Sequence, residues 1–293
     1  MLIAHLSDLH IRHAGDALWL DRQLDRIAAR HPDHLAITGD LLDRWSPLLL
    51  SRILDAVGAR GLLAPERTTI LHGNHDFASS GGHPRGHTDL WRLALRFWDP
   101  PPLVRRRSDR FYRAIAARAP GVSGAAPFMK SLARGIRVAV LDTVPLPWVP
   151  FTIRDGRVVL RHAIGSIPPT QTAWLASQPA AQTPLIVLMH HYPLDTPSFQ
   201  WTPRGRLVRV PPVIVPMHVP VHDRQKFWSA AESAGVDLVL CGHVHRARLE
   251  WHGRTAVGLN GQSGAEWAGR TIAWYELIDD RVTMEVEKLT ADS

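Results

Sequence analysis

Five short blocks of aspartate, asparagine and histidine stand out in this chain of 293 residues. They are Asp8 with His10, Gly39-Asp40, Gly73-Asn74-His75-Asp76, His190-His191, and Gly242-His243-Val244-His245. Carboxylate, amide oxygen and neutral imidazole together form a ligand set that suits Mn, Fe or Zn, and the lack of thiolates in the blocks argues against a structural zinc site. The set is large enough to hold two metal ions.

Each block directly follows an apolar run that has the pattern of a β-strand. The predicted strands are Leu2–Leu6, Leu35–Thr38, Thr69–His72, Leu185–Met189 and Val236–Cys241, and Ile136–Leu141 forms another. Helical patterns separate these runs, and this alternation is typical of an α/β fold. Because the carboxyl ends of the strands in such a sheet meet at one edge, we expect the five blocks to lie together.

Periodicity and capping residues predict the remaining elements. Residues 18–28 repeat apolar side chains at helical spacing, and a second helix has Ser46 as its N-cap, Pro47 at its first position and Gly61 beyond its end. Two more helices are predicted at Thr170–Ser177 and Asp223–Ala234. The closing strands Thr255–Leu259, Thr271–Leu277 and Val282–Val286 alternate apolar and polar residues, which favours antiparallel pairing.

Two stretches interrupt this order, at about 77–135 and 192–222. The first begins with serines and glycines, has a helical pattern over Leu90–Trp98, and continues with three consecutive prolines and three consecutive arginines. The second contains seven prolines, which is too many for a helix or a buried strand. We therefore predict one domain over residues 1–293, with two insertions that form a cap, a lid or an oligomer arm.

The composition is that of an ordinary folded protein. Hydrophobic residues make up 45% of the chain and charged residues 21%, which excludes disordered and collagen-like classes. A single cysteine, Cys241, excludes an internal disulfide, and neither a signal peptide nor an apolar run of membrane-spanning length is present, so we expect a cytoplasmic protein. The net charge of +7, carried mostly by arginine, leaves nucleic acid open as a partner.

The five blocks, in this order, resemble the motifs of the calcineurin-like metallophosphoesterases. The resemblance implies an α/β (α+β) fold built as a four-layer α-β-β-α sandwich, with two central mixed β-sheets and a dinuclear metal site at the sheet edge. It also implies the ligands: Asp8, His10 and His245 for one metal, Asn74, His190 and His243 for the other, and Asp40 as a bridge.

The chemistry of these residue types suits the implied roles. A carboxylate such as Asp40 can bridge two cations at the ~3.5–4 Å separation of two-metal hydrolases. Two such cations would lower the pKa of a shared water and supply a hydroxide for attack on phosphorus. His75 is expected to protonate the leaving oxygen or to stabilise the developing charge, and Asp76 to orient His75.

Other polar residues are expected to be structural or to contact substrate. The isolated histidines are interpreted as surface or satisfied polar groups: His5, His31, His34, His162 and His252. Asp43 is expected to support its loop. Adjacent residues at a strand end point in opposite directions, so only one of His190 and His191 can easily ligate, and the family pattern favours His190. His191, together with Arg204 and Trp201 in the second insertion, is a candidate substrate contact.

Among phosphoesterases, the chain looks most like the cyclic-nucleotide and glycerophosphodiester branch, which the compact size and the paired histidines favour. We therefore predict a phosphodiesterase that uses two Mn, Fe or Zn ions on a small nucleotide-like or glycerol/lipid-like substrate. A DNA repair nuclease and a phosphomonoesterase of the same superfamily remain alternatives. A non-catalytic scaffold is disfavoured because every ligand is present. The insertions carry no motif that identifies the substrate, and a homodimer contact is an equal alternative role for them.

Overall fold

The computed structural model of the chain describes residues 1–78, 100–144, 151–154, 157–160, 165–195, 199–201, 208–210, 219–261, 263–264, 270–278 and 281–290. Its strands are β1 (Leu2–Leu6), β2 (His34–Thr38), β3 (Thr68–Leu71), β4 (Phe128–Ser131), β5 (Arg137–Val140), β6 (Phe151–Arg154), β7 (Arg157–Leu160), β8 (Leu185–Leu188), β9 (Phe199–Trp201), β10 (Val208–Val210), β11 (Leu238–Cys241), β12 (Ala247–His252), β13 (Thr255–Asn260), β14 (Thr271–Ile278) and β15 (Arg281–Lys288). Its α-helices are α1 (Ala14–Arg30), α2 (Pro47–Ala59), α3 (Pro101–Ala116), α4 (Pro169–Ala176) and α5 (Val221–Ala234), and a 3-10 turn covers Ala133–Gly135.

Two mixed sheets form the centre of the fold. The first has five strands in the order β15-β14-β1-β2-β3, and the second has six in the order β12-β13-β11-β8-β5-β4. In the first sheet β1, β2 and β3 pair in parallel, and β14 and β15 add antiparallel pairs on one side. In the second sheet β13, β11, β8 and β5 pair in parallel, and β12 and β4 add an antiparallel strand at each edge. Because β1, β2 and β3 run parallel to one another, as do β8 and β11, the loops that follow them leave at the carboxyl edge of each sheet.

Alternating side chains along the strands build three separate cores. In β11, Leu238 and Leu240 face the core between the two sheets, whereas Val239 and Cys241 face the core beneath α4 and α5. In β2, Ala36 faces the other sheet, while its neighbours pack against α1, α2 and α3. Two buried sheets with a helical layer on each outer face give the predicted four-layer α-β-β-α sandwich.

Local sequence explains where the helices begin and end. The Ser46 hydroxyl accepts a hydrogen bond from the Leu49 amide, and Pro47 occupies the first turn of α2, as predicted. Prolines also precede α4 and α5, and Gly235 ends α5 in the left-handed conformation. Among the described residues, no helix combines the length and the apolar character of a membrane span.

The described part of the 77–135 stretch packs into the sandwich itself. The three prolines begin α3, where a missing amide hydrogen costs little, and its arginines stand beside an apolar stripe of Val104, Phe111 and Ile115. This stripe packs into the core against α2, and β4 adds an edge strand to the second sheet. The predicted helix at 90–98 lies outside the described residues.

In the 192–222 stretch, two short strands are described. Strands β9 and β10 pair antiparallel, with Trp201 opposite Val208 and Phe199 opposite Val210. The prolines of this stretch lie outside these strands, as their lack of an amide hydrogen requires. Cap, lid and oligomer arm remain predictions for the rest of this stretch.

Leu238→Ala tests the core between the sheets. Leu238 is fully buried there, so we expect the free energy of unfolding to fall by about 2–5 kcal/mol, because transfer free energy is lost and a cavity is left. Urea titration of the metal-free protein measures the change. Leu48→Ala is the control, since Leu48 is 79% exposed and its loss should change stability by less than about 0.5 kcal/mol. Equal effects of the two substitutions would contradict the assigned core.

Candidate metal centre

The five polar blocks meet at the shared carboxyl edge of the two sheets. The loops after β1, β2 and β3 bring in residues from the first sheet, and the loops after β8 and β11 bring in residues from the second. Three groups of side chains have ligand atoms within 4.8 Å of one another: Asp8, His10 and His245; His10, Asp40 and His75; and Asp40, His190 and His243. The first and third groups each combine residues from both sheets.

The backbone at this edge adopts the left-handed conformation at five residues that are not glycine. They are Asp8, His10, Asp40, His243 and His245, with φ between 45° and 70°. A side chain in this conformation costs about 1–3 kcal/mol, so such residues persist only where the surrounding structure holds them. All five are predicted ligands, and the sharp turns direct several of their side chains toward one point.

Two glycines allow the loops to approach closely enough for the ligands to meet. A Cβ at Gly73 would overlap the Asp40 carboxylate and lie 2.7 Å from His190 Cε1. A Cβ at Gly242 would overlap the Ser7 hydroxyl and the carboxylate of Asp8. Glycine at these positions is therefore required by space rather than by φ.

The first ligand group surrounds Asp8. Its Oδ2 accepts hydrogen bonds from the Ser7 hydroxyl at 2.7 Å and from the His243 amide at 2.9 Å. Its Oδ1 is fully buried, lies 3.3 Å from His245 Nε2 and 3.7 Å from His10 Nε2, and accepts no hydrogen bond of standard geometry from the described residues. A buried carboxylate oxygen without a donor is costly, and a cation at this point would satisfy it.

The second ligand group consists of Asn74, His190 and His243, and it lies on the other side of Asp40. Asp40 Oδ2 is 3.4 Å from His190 Nε2 and 3.7 Å from His10 Nε2, so this one carboxylate lies between both groups. The Asn74 side-chain oxygen is 2.9 Å from the same His190 nitrogen. The other ring nitrogen of His190 is 2.8 Å from the Thr38 carbonyl, and a backbone contact of this kind fixes ring orientation in metal sites.

The charges of the two carboxylates suit a cation. Burial raises the pKa of Asp8 and Asp40, but the surrounding histidines outweigh burial and hold both pKa values well below their usual range. Burial lowers the pKa of His245, which favours the neutral imidazole. Burial also acts to lower the pKa of His190, but the carboxylates of Asp40 and Asp8 outweigh it and raise that pKa to about 9, so a bound cation would replace a proton there. Deprotonated carboxylate and neutral imidazole are the forms that bind metals. Carboxylate oxygens and imidazoles without thiolates suit Mn, Fe or Zn, so the donor set fits a two-metal site.

Asp43, rather than Asp76, lies next to the ring of His75. The Nδ1 atom of His75 lies 3.3 Å from the Asp43 carbonyl oxygen and 3.7 Å from its carboxylate, which also pairs with Arg12 at 3.0 Å. Both oxygens of Asp76 instead accept backbone hydrogen bonds, from Gly73 at 2.7 Å and from Leu42 at 2.8 Å. Asp76 thus closes the loop, and burial together with Asp40 raises its pKa to about 7.

Of the three candidate substrate contacts, the structure describes the side chain of His191 alone. The ring of His191 packs 4.3 Å from that of His243, and its Nδ1 is 2.9 Å from the Thr143 hydroxyl. Arg204 lies outside the described residues, as does the side chain of Trp201, whose backbone ends β9.

The isolated histidines of the described residues either are buried beside a threonine hydroxyl or are exposed. His5 and His34 are buried, each 2.8 Å from a threonine hydroxyl, and burial lowers both pKa values to about 3. His31 ends α1 in the left-handed conformation. His252 is exposed and stacks on Trp228, and His162 lies outside the described residues.

Comparison with known proteins identifies the family. A model of the calcineurin-like phosphoesterase family matches residues 1–247. The chain belongs to this family. No curated protein sequence matches the chain at a significant level.

Solved structures with the same fold are distant in sequence. A dimetal phosphatase from Danio rerio is 12% identical, with a TM-score of 0.58, and the match covers 98% of this chain and 96% of that one. TT1561 of Thermus thermophilus is 12% identical, with a TM-score of 0.51 and 97% coverage of both chains. GAP50, the anchor in the inner membrane complex of Plasmodium, is 9% identical, with a TM-score of 0.50 and coverage of 98% and 84%. At these identities the likeness shows the fold alone.

Within this family fold, sequence reasoning missed the loop after β5. Asp142 and Thr143 leave the second sheet at the same edge as the histidine blocks, and Thr143 contacts His191. Asp142-Thr143 contains no histidine and therefore does not look like the metal-binding blocks. Its position directly after a predicted strand was the feature of the sequence that could have indicated a place at the site.

Gly73→Ala tests the close approach of the loops. The added Cβ has no room beside Asp40 and His190, so we expect Mn²⁺ affinity to fall by about tenfold or more, an effect typical of disturbed ligand support. Isothermal titration calorimetry measures the affinity, and circular dichroism checks the fold. Gly58→Ala in α2 is the matched control, since its Cβ would meet only Leu63 at 3.8 Å. Unchanged Mn²⁺ binding by Gly73→Ala would contradict the packing described here.

Proposed function

We propose that this protein hydrolyses phosphoric esters with two transition-metal ions, Mn, Fe or Zn, and that its substrate is a small phosphodiester. The observation that carries the proposal is the position of Asp40, whose carboxylate lies within 3.4–3.7 Å of histidines from both ligand groups. Membership in the phosphoesterase family supports the reaction class, and the similarity to the dimetal phosphatase from Danio rerio supports a two-metal centre.

The proposed ligands follow the two groups. Asp8, His10 and His245 would hold one ion, Asn74, His190 and His243 would hold the other, and Asp40 would be shared. When bound, such a pair of ions lowers the pKa of water and neutralises phosphate charge. The chain fixes the shared carboxylate, because the His75 amide donates a 2.7 Å hydrogen bond to Asp40 Oδ1.

His75 is the proposed proton donor for the leaving oxygen. Its ring packs edge-on against His10 at 4.7 Å, next to the ligands, and is 12% exposed, so substrate can reach it. Asp43 is its proposed positioning residue, because the carbonyl and carboxylate of Asp43 both face Nδ1 of the ring. Asp76 is proposed to hold the loop that carries His75 rather than to orient the ring.

The adjacent pair His190-His191, which resembles that of the phosphodiesterase branch of the family, is the reason that we propose phosphodiesters over monoesters. His191, Arg204 and Trp201 are the proposed substrate contacts. We also propose a cytoplasmic location, since the one cysteine, Cys241, is buried and forms no disulfide.

A hydrolysis screen with added Mn²⁺ tests the substrate class. Bis-p-nitrophenyl phosphate, cyclic nucleotides and glycerophosphodiesters represent diesters, p-nitrophenyl phosphate represents monoesters, and single-stranded DNA represents the nuclease alternative. The proposal requires kcat/KM for at least one small diester to exceed that for the monoester. A preference for the monoester or for DNA would replace the phosphodiester assignment while leaving the metal centre in place.

Asp40→Asn should abolish activity more completely than substitution of any other ligand. A neutral amide is a poor bridge, so binding at both groups weakens together. Elemental analysis should find less than one metal ion per chain after dialysis. Asp237→Asn at the opposite edge, where the carboxylate accepts a hydrogen bond from the Leu185 amide, is the control and should keep full metal content. Two retained ions in Asp40→Asn would exclude the bridging role.

His75→Ala should separate metal binding from turnover. We expect two bound metal ions and a fall in kcat of about 10²–10⁴-fold, as for the loss of a general acid. Substrates with good leaving groups should lose less activity than those with poor ones, because they need less protonation. Depleted metal in His75→Ala would instead make this residue a ligand. His252→Ala, on the exposed surface, is the control.

A further inference from the structure

The loop after β5 contacts both ligand loops of the second group. Asp142 lies beside the loop that carries Asn74, since its carboxylate is 3.2 Å from His72 Nε2. Thr143 lies beside the loop that carries His190, since its hydroxyl accepts a 3.0 Å hydrogen bond from the His191 amide and is 2.9 Å from the ring Nδ1. Two consecutive residues thus join loops from different sheets.

The Asp142 side of this contact belongs to a longer chain of polar contacts. Tyr112 in α3 has its hydroxyl 2.5 Å from His72 Nδ1, and burial raises its pKa well above the usual value, so the hydroxyl keeps its proton. At the other end, Gln171 in α4 accepts from the Asp142 amide and donates to its carbonyl, both at 2.8 Å. The chain therefore runs from one outer helical layer to the other, across both sheets.

The first ligand group is supported from a different direction. Ser7, which donates to Asp8, has its amide 3.1 Å from the Ser263 hydroxyl, and Ser263 in turn contacts Asn260 and Gln23. None of these contacts involves Asp142 or Thr143. These supports of Asp8 are distinct from the contacts of Asp142 and Thr143, while Asp40 and the hydrogen bond from the His243 amide to Asp8 link the two groups.

We propose that Asp142 and Thr143 are positioning residues that hold the Asn74 and His190 loops together and thereby set the affinity of the second metal site alone. This inference rests on the two-metal function proposed above. Its physical basis is that Asn74 comes from the first sheet and His190 from the second, so their separation depends on a contact across the sheets. Residues that orient ligands in this way commonly contribute about 10–100-fold in metal affinity.

Calorimetric titration of the metal-free protein with Mn²⁺ tests the proposal. The wild type should bind two ions. Thr143→Val keeps the shape of the side chain and removes its hydroxyl, so one dissociation constant should rise about 10–100-fold while the other stays unchanged. Thr143→Ser should restore the wild-type value, and Asp142→Asn and Tyr112→Phe should weaken the same site. Thr255→Val is the control, because this buried threonine bonds the Val236 carbonyl at the opposite edge.

A His190→Ala background identifies the affected site. That protein keeps the first group, so adding Thr143→Val should leave its remaining dissociation constant unchanged. Three results would overturn the positioning role. The first is an equal loss of Mn²⁺ affinity in Thr255→Val, and the second is a loss of affinity when Thr143→Val is added to His190→Ala. The third is an unchanged affinity in all the variants. If the wild type itself binds no Mn²⁺, the proposed function fails and this inference fails with it. Two ions bound equally well by wild type and variants leave the function standing and reject this inference alone.

Discussion

Burial of the Asp40 carboxylate between the two sheets constrains everything around it. Removing a carboxylate from water costs several kcal/mol unless hydrogen bonds and opposite charge replace the water. Here the His75 amide supplies a hydrogen bond, and histidines from both ligand groups surround the opposite oxygen. The loops that carry these partners must therefore pack so closely around the carboxylate that Gly73 has no room for a Cβ.

The same requirement explains the unusual backbone of the site. Five ligand candidates have positive φ values. Each strained conformation costs free energy and persists only where the surrounding structure is rigid enough to hold it. The three apolar cores of the sandwich form that frame, since their strands alternate buried side chains on both faces up to the last residue before each loop. Stability is therefore concentrated in the strands, and strain is concentrated in the loops that follow them.

The sequence predicts those features that depend on local pattern. Apolar runs followed by polar blocks were enough to predict the strands and the common edge where the polar side chains meet. The family resemblance supplied the arrangement into two sheets and the proposed ligand assignment. Asp43 and Thr143 show the limit. Their contacts to His75 and His191 join loops that are far apart in sequence, and no local pattern encodes which side chains meet across such a gap. Helix α3 was missed for another reason: three prolines suggest a break in the chain, although proline is favoured in the first turn of a helix.

Each ligand group draws its members from both sheets, and under the proposed function this ties folding to metal supply. A cation held by Asp8 from the first sheet and His245 from the second is a crosslink across the core between the sheets. Binding only to the folded chain adds about 2.7 kcal/mol of stability when free metal is about a hundredfold above its dissociation constant. The protein would then be most open to proteolysis when metal is scarce, so its abundance in the cell would follow metal availability as well as synthesis.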